Sequence, residues 1–199
     1  MKKTIGCLIV LLSQAVGVMA DGADQLAEIG AKIADETHRI AVIGEIKAKF
    51  VDNKGIKARY IRVQYDGTKL QLAGFVPTSA VIADVERIGR EAAPQKKFES
   101  YWQVKEGLLD HDPYSTYVGE QASDFSIWLK VKATLLSPNV QPLLKATHVQ
   151  AIDVHSGKVT IYLIADAPPG DIDLGPHIKN INGVKSVTVF TLKAYPKTP

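Results

Sequence analysis

The stretch NINGVKSVTVFTLKA, residues 180–194, ends the regular part of the chain with a glycine turn followed by alternating valines. Asn182 and Gly183 are typical of a helix end, because glycine is favoured just past a helix terminus, where the backbone needs a positive φ. Val187 and Val189 then lie in a strand. A strand that follows a helix joins its sheet through a right-handed crossover, parallel to a neighbouring strand. The stretch therefore predicts the last strand of a small α+β unit.

The elements that precede this strand occur twice along the chain. Each copy starts with a helix, residues 37–51 and 122–136, in which apolar side chains recur at helical spacing. Two alternating runs separated by a glycine turn follow, in residues 60–76 and 150–165, and predict a hairpin. The chain therefore contains an internal repeat, which is the strongest single indication of its fold.

A second helix and a closing strand complete each copy. The spacing predicts the second helix over residues 79–92 in the first copy and over residues 171–181 in the second. KFESYWQV, residues 97–104, is the closing strand of the first copy and lacks the Gly-Val entry of the second. We therefore predict an α+β fold of two αββαβ units in tandem, each a two-layer sandwich with both helices on one face of its sheet.

The domain boundaries follow from this repeat. We assign the chain to six segments: residues 1–20, a signal peptide; 21–36, an N-terminal helical extension; 37–105, the first domain; 106–121, a linker; 122–194, the second domain; and 195–199, a tail. The extension has helical spacing at Leu26, Ile29 and Ile33. The linker contains four side chains able to pack against either domain: Leu108, Leu109, Tyr114 and Tyr117.

The first twenty residues have the pattern of a cleaved export signal. Lys2 and Lys3 precede an apolar run, and Val18 and Ala20 are the small residues expected before a cleavage site. The densest apolar run, residues 5–12, is too short for a membrane anchor, because a bilayer needs about 20 apolar residues. We predict cleavage after Ala20, a periplasmic location, and no transmembrane span after processing.

Composition and charge narrow the class of protein further. The chain is 46% hydrophobic and 23% charged, as in an ordinary globular protein. Its net charge of +3 falls to +1 without Lys2 and Lys3, and so weak a basic character disfavours nucleic acid as a partner. Cys7 lies in the leader, so the mature chain would have no cysteine, which suits an oxidising compartment.

No catalytic or metal-binding motif is present in the sequence. The five histidines are scattered, without the spacing of an H-E-x-x-H metal site, and no serine lies in a G-x-S-x-G elbow. We predict a protein that is not an enzyme, with no catalytic residues, no metal and no cofactor. Gly74 fits a strand position that another backbone approaches closely.

The helix over residues 122–136 has an apolar arc wider than the roughly 100° that a surface helix needs. Its core-facing residues are Ile127, Trp128, Val131 and Leu135, and the arc is widened by Phe125, Leu129 and Leu136. Lysines beside aromatic and leucine side chains favour contact with anionic head groups at a bilayer interface. The predicted lipid-binding residues are Phe125, Trp128, Leu129, Lys130 and Lys132.

A structural explanation of the wide arc stays open. The first copy has Ile40, Ile43 and Val51 at the matching positions. The added width could therefore bury a contact between the two domains, or a contact with the leading helix. The exposures of Phe125, Trp128 and Leu129 in the folded protein separate these alternatives from a lipid-binding surface.

The chain resembles the BON domain family, whose members include periplasmic proteins with paired BON domains. The resemblance extends over residues 35–193, nearly all of the mature chain. The matching stretches are LQLAGFV (70–76), IKNINGVKSVTV (178–189), IKAKF (46–50) and VKATLL (131–136). The copies have diverged, since Leu163 of the second takes the place of Gly74.

The resemblance implies a non-enzymatic role in the cell envelope. The leading hypothesis is a periplasmic tandem BON-domain protein that associates with phospholipid, peripherally at the outer membrane, and supports envelope integrity or tolerance of osmotic stress. The alternative is a soluble protein-interaction or chaperone-like periplasmic stress protein, without lipid binding, that uses its sheet faces or edge strands. The expected partner is anionic phospholipid in the first case and an envelope protein in the second.

Overall fold

The computed structural model of the 199-residue chain describes residues 5–109, 122–170 and 172–195. Two compact units are present, Met1–Val42 and Ile43–Pro199. Helix α1 (Ile5–Asp52) begins in the first unit and ends in the second. The predicted extension and the first helix of the repeat therefore form one continuous helix. Every described side chain of residues 27–38 is exposed, including the apolar Ile29 and Ile33.

The second unit contains two three-stranded sheets, so the protein is a mixed α+β fold. Strands of the first sheet, in spatial order, are β1 (Ile61–Tyr65), β2 (Lys69–Val76) and β3 (Lys97–Val104). Those of the second, also in spatial order, are β4 (Thr147–His155), β5 (Lys158–Ala165) and β6 (Ser186–Lys193). In both sheets the hairpin is antiparallel and the closing strand is parallel to the middle strand, as the crossover rule predicts.

Three further α-helices follow α1 in the part of the chain that the structure describes. Helix α2 (Ser79–Ala92) has the predicted bounds, and α3 (Ala122–Leu135) ends one residue earlier than predicted. Helix α4 is only Gly175–Ile178, so the predicted helix over residues 171–181 is wrong in length. Pro176 lies in the first turn of α4, where proline is tolerated, but it would interrupt the interior of a helix that began at residue 171. Beyond Ile178 the chain continues as turns.

Gly183 ends these turns with a φ of 93°, as its place in the sequence predicts. A Cβ at Gly183 would lie 3.0 Å from Cδ1 of Ile127 in α3, and the glycine carbonyl would lie 2.4 Å from a Cβ at Gly157. Lys185 donates its backbone N–H to the carbonyl of Gly157 at 2.8 Å. The loop that starts β6 is therefore packed between α3 and the β4–β5 turn, which leaves no room for side chains on either glycine.

Gly74 makes the close approach that the sequence predicts. It pairs with Ile61 across β1 and β2. A Cβ at Gly74 would lie only 2.3 Å from the carbonyl oxygen of Tyr60. Tyr60 ends a 3-10 turn, Ala58–Tyr60, that leads directly into β1. The missing side chain at Gly74 therefore allows this turn to lie on β2.

One face of each sheet packs against helices. The helix-side core of the second sheet contains Ile127 and Val131 of α3 together with Ile161 and Leu163 of β5. In the first sheet, a Cβ at Gly89 of α2 would lie 2.9 Å from Leu72 and 3.1 Å from Phe98. Both sheets thus bury the apolar side of their period-2 alternation against helices.

The opposite faces of the two sheets pack against each other. The shared core joins Ala73 and Phe75 of β2 to Tyr162 and Ile164 of β5. Its aromatic rings meet edge to face, at 4.9 Å between Tyr60 and Tyr162 and at 5.0 Å between Phe75 and Tyr162. Both open sheet faces are thereby covered. We call residues 43–109 and 122–195 the first and second halves of this unit.

An ion pair at the sheet interface adds a specific polar contact. The guanidinium of Arg62 in β1 donates to both carboxylate oxygens of Asp166, at 2.8 and 2.5 Å. Arg62 is itself buried. Such a bidentate pair fixes the orientation of the two groups as well as their separation. The first and second halves are therefore held in register by charge at one end of the aromatic core.

Leu108 of the predicted linker also lies in the shared core, and the backbone N–H of Leu109 donates to the hydroxyl of Tyr60 at 3.2 Å. The two linker tyrosines, Tyr114 and Tyr117, lie outside the described residues. The described start of the linker thus packs between both halves.

Candidate functional site

Helix α3 contains all five predicted lipid-binding residues, and the structure divides them by exposure. Ile127, Val131 and Leu135 face the core and are buried, as the spacing predicts. Leu129 is 47% exposed, and Lys130 beside it is exposed as well. An exposed leucine next to an exposed lysine places apolar and cationic groups together on the outer side of the helix.

The other three predicted residues form a stack along α3. The rings of Phe125 and Trp128 lie 5.8 Å apart at an interplanar angle of 17°. The ammonium of Lys132 lies 4.2 Å from the centroid of the Trp128 ring, within the range of a cation–π contact. Trp128 is half-buried and packs against the helix-side core of the second sheet. The stack therefore holds Lys132 at a defined position.

The contact between the two halves leaves Leu129 exposed. The halves meet through the sheet faces around Phe75 and Tyr162. Gly44 of α1 occupies the position that matches Leu129, and Val51, which matches Leu136, is 71% exposed. The added apolar width of α3 is thus available at the surface of the described structure.

A cleft of about 350 Å³ lies beside the stack, between α3, β4 and the Ala58–Tyr60 turn. Its apolar lining includes the buried side chains of Leu135, Leu144 and Ile152. Trp128 and Leu136 also line it, and Leu136 is 74% exposed. The volume falls within the range of small-molecule sites, about 300 to 1,000 Å³.

Polar groups also line the cleft. They are Arg59, Lys132, Gln141 and Gln150. Arg59 comes from the first half and the others come from the second half. Among the described lining residues, two carry a positive charge and none carries a negative charge. The cleft therefore combines an apolar floor with a cationic rim.

A bulge in β4 sets the position of Arg59. The pairing of β4 with β5 shifts between Val149 and Ala151, so that Gln150 has no partner in the β4–β5 register. The side-chain amide of Gln150 donates to the carbonyl of Arg59 at 2.8 Å. Nη2 of Arg59 donates in return to the carbonyl of Ile152 at 3.2 Å. Bulges of this kind redirect a side chain and disrupt the local ladder, and here the redirected amide docks the Ala58–Tyr60 turn on β4.

Asp153 connects the cleft to the shared core. Nη2 of Arg59 lies 2.9 Å from one carboxylate oxygen of Asp153, and the hydroxyl of Tyr60 donates to the other at 2.7 Å. Burial, together with the adjacent Asp153 carboxylate, raises the pKa of Tyr60 well above its ordinary value. Burial also raises the pKa of Tyr162 to about 12. Both phenols are therefore protonated at neutral pH, and Tyr60 serves as the donor.

The α3 side of the cleft is predicted from the sequence, and the side formed by Arg59 and Gln150 is not. Trp128 and Lys132 belong to the predicted set. Arg59 and Gln150 do not, because residues 91 apart in the chain meet only after the two sheets pack. The one local signal was the Ala58–Arg59–Tyr60 segment just ahead of an alternating strand, which by itself predicts only a turn.

The described residues show no group of three histidine, cysteine, aspartate or glutamate side chains arranged to hold a metal ion. Within the same residues, no helix combines the length and the hydrophobicity needed to cross a membrane.

The sequence matches no protein-family model and no curated protein. Among solved structures, the chain is similar to one titled "CdsD - The structural protein of the Type III secretion system of Chlamydia trachomatis: C-terminal domain". The two are 14% identical, the alignment covers 78% of this chain and 66% of that one, and the TM-score is 0.27. A similarity at this TM-score supports no argument about fold or function.

Proposed function

We propose that this chain is a periplasmic, non-enzymatic protein that associates peripherally with phospholipid membranes through the outer side of α3. In this proposal the two αββαβ units are BON-like domains in tandem, exported by a signal peptide that is cleaved after Ala20. The protein would then support envelope integrity or osmotic stress tolerance at the outer membrane.

The observation that carries the proposal is the exposure of Leu129 beside Lys130. Leu129 is 47% exposed, and the opposite side of its helix packs against the core of the second sheet. Amphipathic helices bind membrane interfaces by burying such apolar side chains among the lipids while their lysines contact anionic head groups. Because the halves use their sheet faces to contact each other, this side of α3 is left for a lipid partner.

The repeat supports the tandem interpretation. β2 with β3, and β5 with β6, pair in parallel over eight residues each. Both closing strands follow a helical segment, and both hairpins turn at a glycine with positive φ, Gly67 and Gly157. The two halves thus repeat one topology, as two copies of one domain would.

Flotation with vesicles tests the proposal directly. Vesicles of phosphatidylglycerol and phosphatidylcholine are expected to carry the protein upward in a density gradient, and vesicles of phosphatidylcholine alone to carry much less. Leu129→Asp combined with Lys130→Glu is expected to abolish flotation, because it places two carboxylates where lipid contact needs an apolar and a cationic group. Both positions are exposed, so the variant keeps the core intact.

The matched control changes the same residue classes on another helix. Val51→Asp with Lys54→Glu alters an exposed apolar residue and an exposed lysine near the end of α1. Flotation of this variant is expected to equal that of the unmodified protein. An equal loss of flotation in both variants would show that flotation depends on the net charge of the protein rather than on the outer side of α3. Absence of flotation in the unmodified protein would contradict the proposal.

A further inference from the structure

We propose that the cleft between α3, β4 and the Ala58–Tyr60 turn binds a single anionic amphiphile: an acyl chain that ends in a phosphate or carboxylate group. The binding atoms differ from those of the outer side of α3. Leu129 and Lys130 do not line the cleft, whereas Lys132 and Leu136 do. Separate experiments can therefore test ligand binding in the cleft and membrane binding by the outer side of α3.

The apolar part of the cleft fits a hydrocarbon chain. Leu135, Leu144 and Ile152 lie at its base and are each less than 10% exposed, so the base is fixed by the core of the second half. The half-buried ring of Trp128 lines the same space. A chain that enters here exchanges water for apolar contact on several sides, which a flat surface does not provide.

The charged part of the cleft selects an anion. Arg59 and Lys132 are the two charged residues among the described lining side chains, and both are cations. Each is held in place: Arg59 by Ile152 and Asp153, and Lys132 by the ring of Trp128. Because one charge of Asp153 offsets one of these cations, the local net charge is a single positive charge. Such a site favours a singly charged phosphodiester or carboxylate.

The two halves must be packed together for this cleft to exist. Arg59 belongs to the first half, and it reaches the cleft because Gln150 holds its carbonyl. A ligand that contacts Arg59 and Trp128 at once therefore binds only the packed arrangement of the two sheets. By mass action, such a ligand stabilises that arrangement against unfolding.

Calorimetric titration of the purified protein with ligands kept below their micelle-forming concentrations tests the proposal. The probes are octanoate, which ends in a carboxylate, dihexanoylphosphatidylglycerol, which carries a phosphodiester, and octyl glucoside, which has no charge. Saturable binding at one molecule per chain is expected for at least one anionic probe. Binding of only one of the two anions identifies the source of the ligand as fatty acid or phospholipid.

Two pairs of variants compare the cleft with exposed positions elsewhere on the protein. Lys132→Glu and Leu136→Asp place a carboxylate at the lining of the cleft, and each is expected to weaken binding by about tenfold or more. Lys54→Glu and Val51→Asp make the same chemical changes at exposed positions outside both the cleft and the outer side of α3, and binding is expected to stay within about twofold of the unmodified protein. All four positions are exposed, so the fold is retained.

Three results would overturn the proposal. They are absence of saturable binding by either anion, binding of octyl glucoside as tight as that of the anions, and equal losses in the cleft variants and their controls. Vesicle flotation without binding of monomeric ligand would remove the cleft proposal and leave the membrane proposal standing. Binding of monomeric ligand without flotation would contradict the membrane proposal and leave the cleft proposal in place.

Discussion

The two halves of the second unit have the same topology but pack the middle strand of the sheet differently. The difference is clearest at two matching positions, Gly74 and Leu163. In the first half the Ala58–Tyr60 turn presses its backbone onto β2, so that position 74 has no room for a side chain. In the second half Leu163 is fully buried in the helix-side core, beside the bulge at Gln150. The same position of the fold is therefore filled by the backbone of a turn in the first half and by a leucine side chain in the second half.

The hairpin turns differ in the same way. Asp66 organises its own turn by accepting hydrogen bonds from Thr68 and Lys69 at 2.7 to 2.8 Å. In the β4–β5 turn, the backbone N–H groups of Ser156 and Gly157 donate instead to Asp124 of α3, at 2.7 and 2.9 Å. The first turn is thus self-contained, whereas the second is attached to the helix that forms the candidate site.

The largest expected effect comes from filling the space at Gly74. Gly74→Ala places a Cβ 2.3 Å from the Tyr60 carbonyl, so the Ala58–Tyr60 turn must move. We expect the free energy of unfolding to fall by about 3 kcal/mol, the upper end of overpacking costs. Gly44→Ala is the control, since no atom lies within 4 Å of a Cβ there, and it is expected to stabilise α1 by up to about 1 kcal/mol. Urea unfolding followed by circular dichroism measures both, and equal effects would contradict the close approach.

Next in size is the loss of the Asp153 carboxylate, one of the charged groups that join the halves. Asp153→Asn weakens the contacts with Arg59 and Tyr60 together, and we expect a loss of about 2 kcal/mol. The transition should stay single, because both halves share this contact. Asp84→Asn, at an exposed pair with Arg87, is the control and should change stability by less than about 1 kcal/mol. Two separate unfolding transitions in the unmodified protein would show that the halves are independent.

A smaller effect is expected at the attachment of α3 to the β4–β5 turn. Asp124→Ala leaves the amides of Ser156 and Gly157 without their carboxylate partner, and we expect a loss of about 1 kcal/mol. Hydrogen exchange of these two amides should accelerate, while exchange in the β1–β2 turn stays unchanged. Acceleration in both turns would indicate global destabilisation rather than a local attachment.

The smallest effect concerns pH. Hydrogen bonds from Thr68 and Lys69 lower the pKa of Asp66 from 3.8 to about 2. A lowered carboxyl pKa stabilises the folded state above the unfolded value, and this contribution is lost as the pH falls from about 4 towards 2. Asp66→Asn should therefore reduce the difference in unfolding free energy between about pH 6 and about pH 2. An unchanged difference, measured by urea titration at both pH values, would exclude a role for this turn.

The order of elements could be predicted from sequence because local patterns encode it. The alternation of Leu70, Leu72 and Val76, and the helical spacing of Ile127, Val131 and Leu135, fix element type without reference to the rest of the chain. The length of α4 could not be predicted from spacing alone, because Pro176 within the predicted span restricts where the helix can begin.

The sheet-to-sheet packing could not be predicted in the same way. The strands that pack sheet against sheet have apolar side chains on both faces, among them Phe75, Tyr162 and Ile164. The sequence of such a strand does not reveal which face contacts a helix and which contacts another sheet. The cleft depends on that packing, so its α3 wall was predicted while Arg59 and Gln150 were not.

The packing of the two sheets against each other also has a consequence for the synthesis and degradation of the polypeptide. A fragment with only the first half would present Phe75 to water, and a fragment with only the second would present Tyr162 and Ile164. Exposed strands with such apolar faces promote aggregation. A premature stop codon or a proteolytic cut between the halves is therefore expected to yield insoluble pieces rather than two working modules, so that the halves are inherited, synthesised and degraded together.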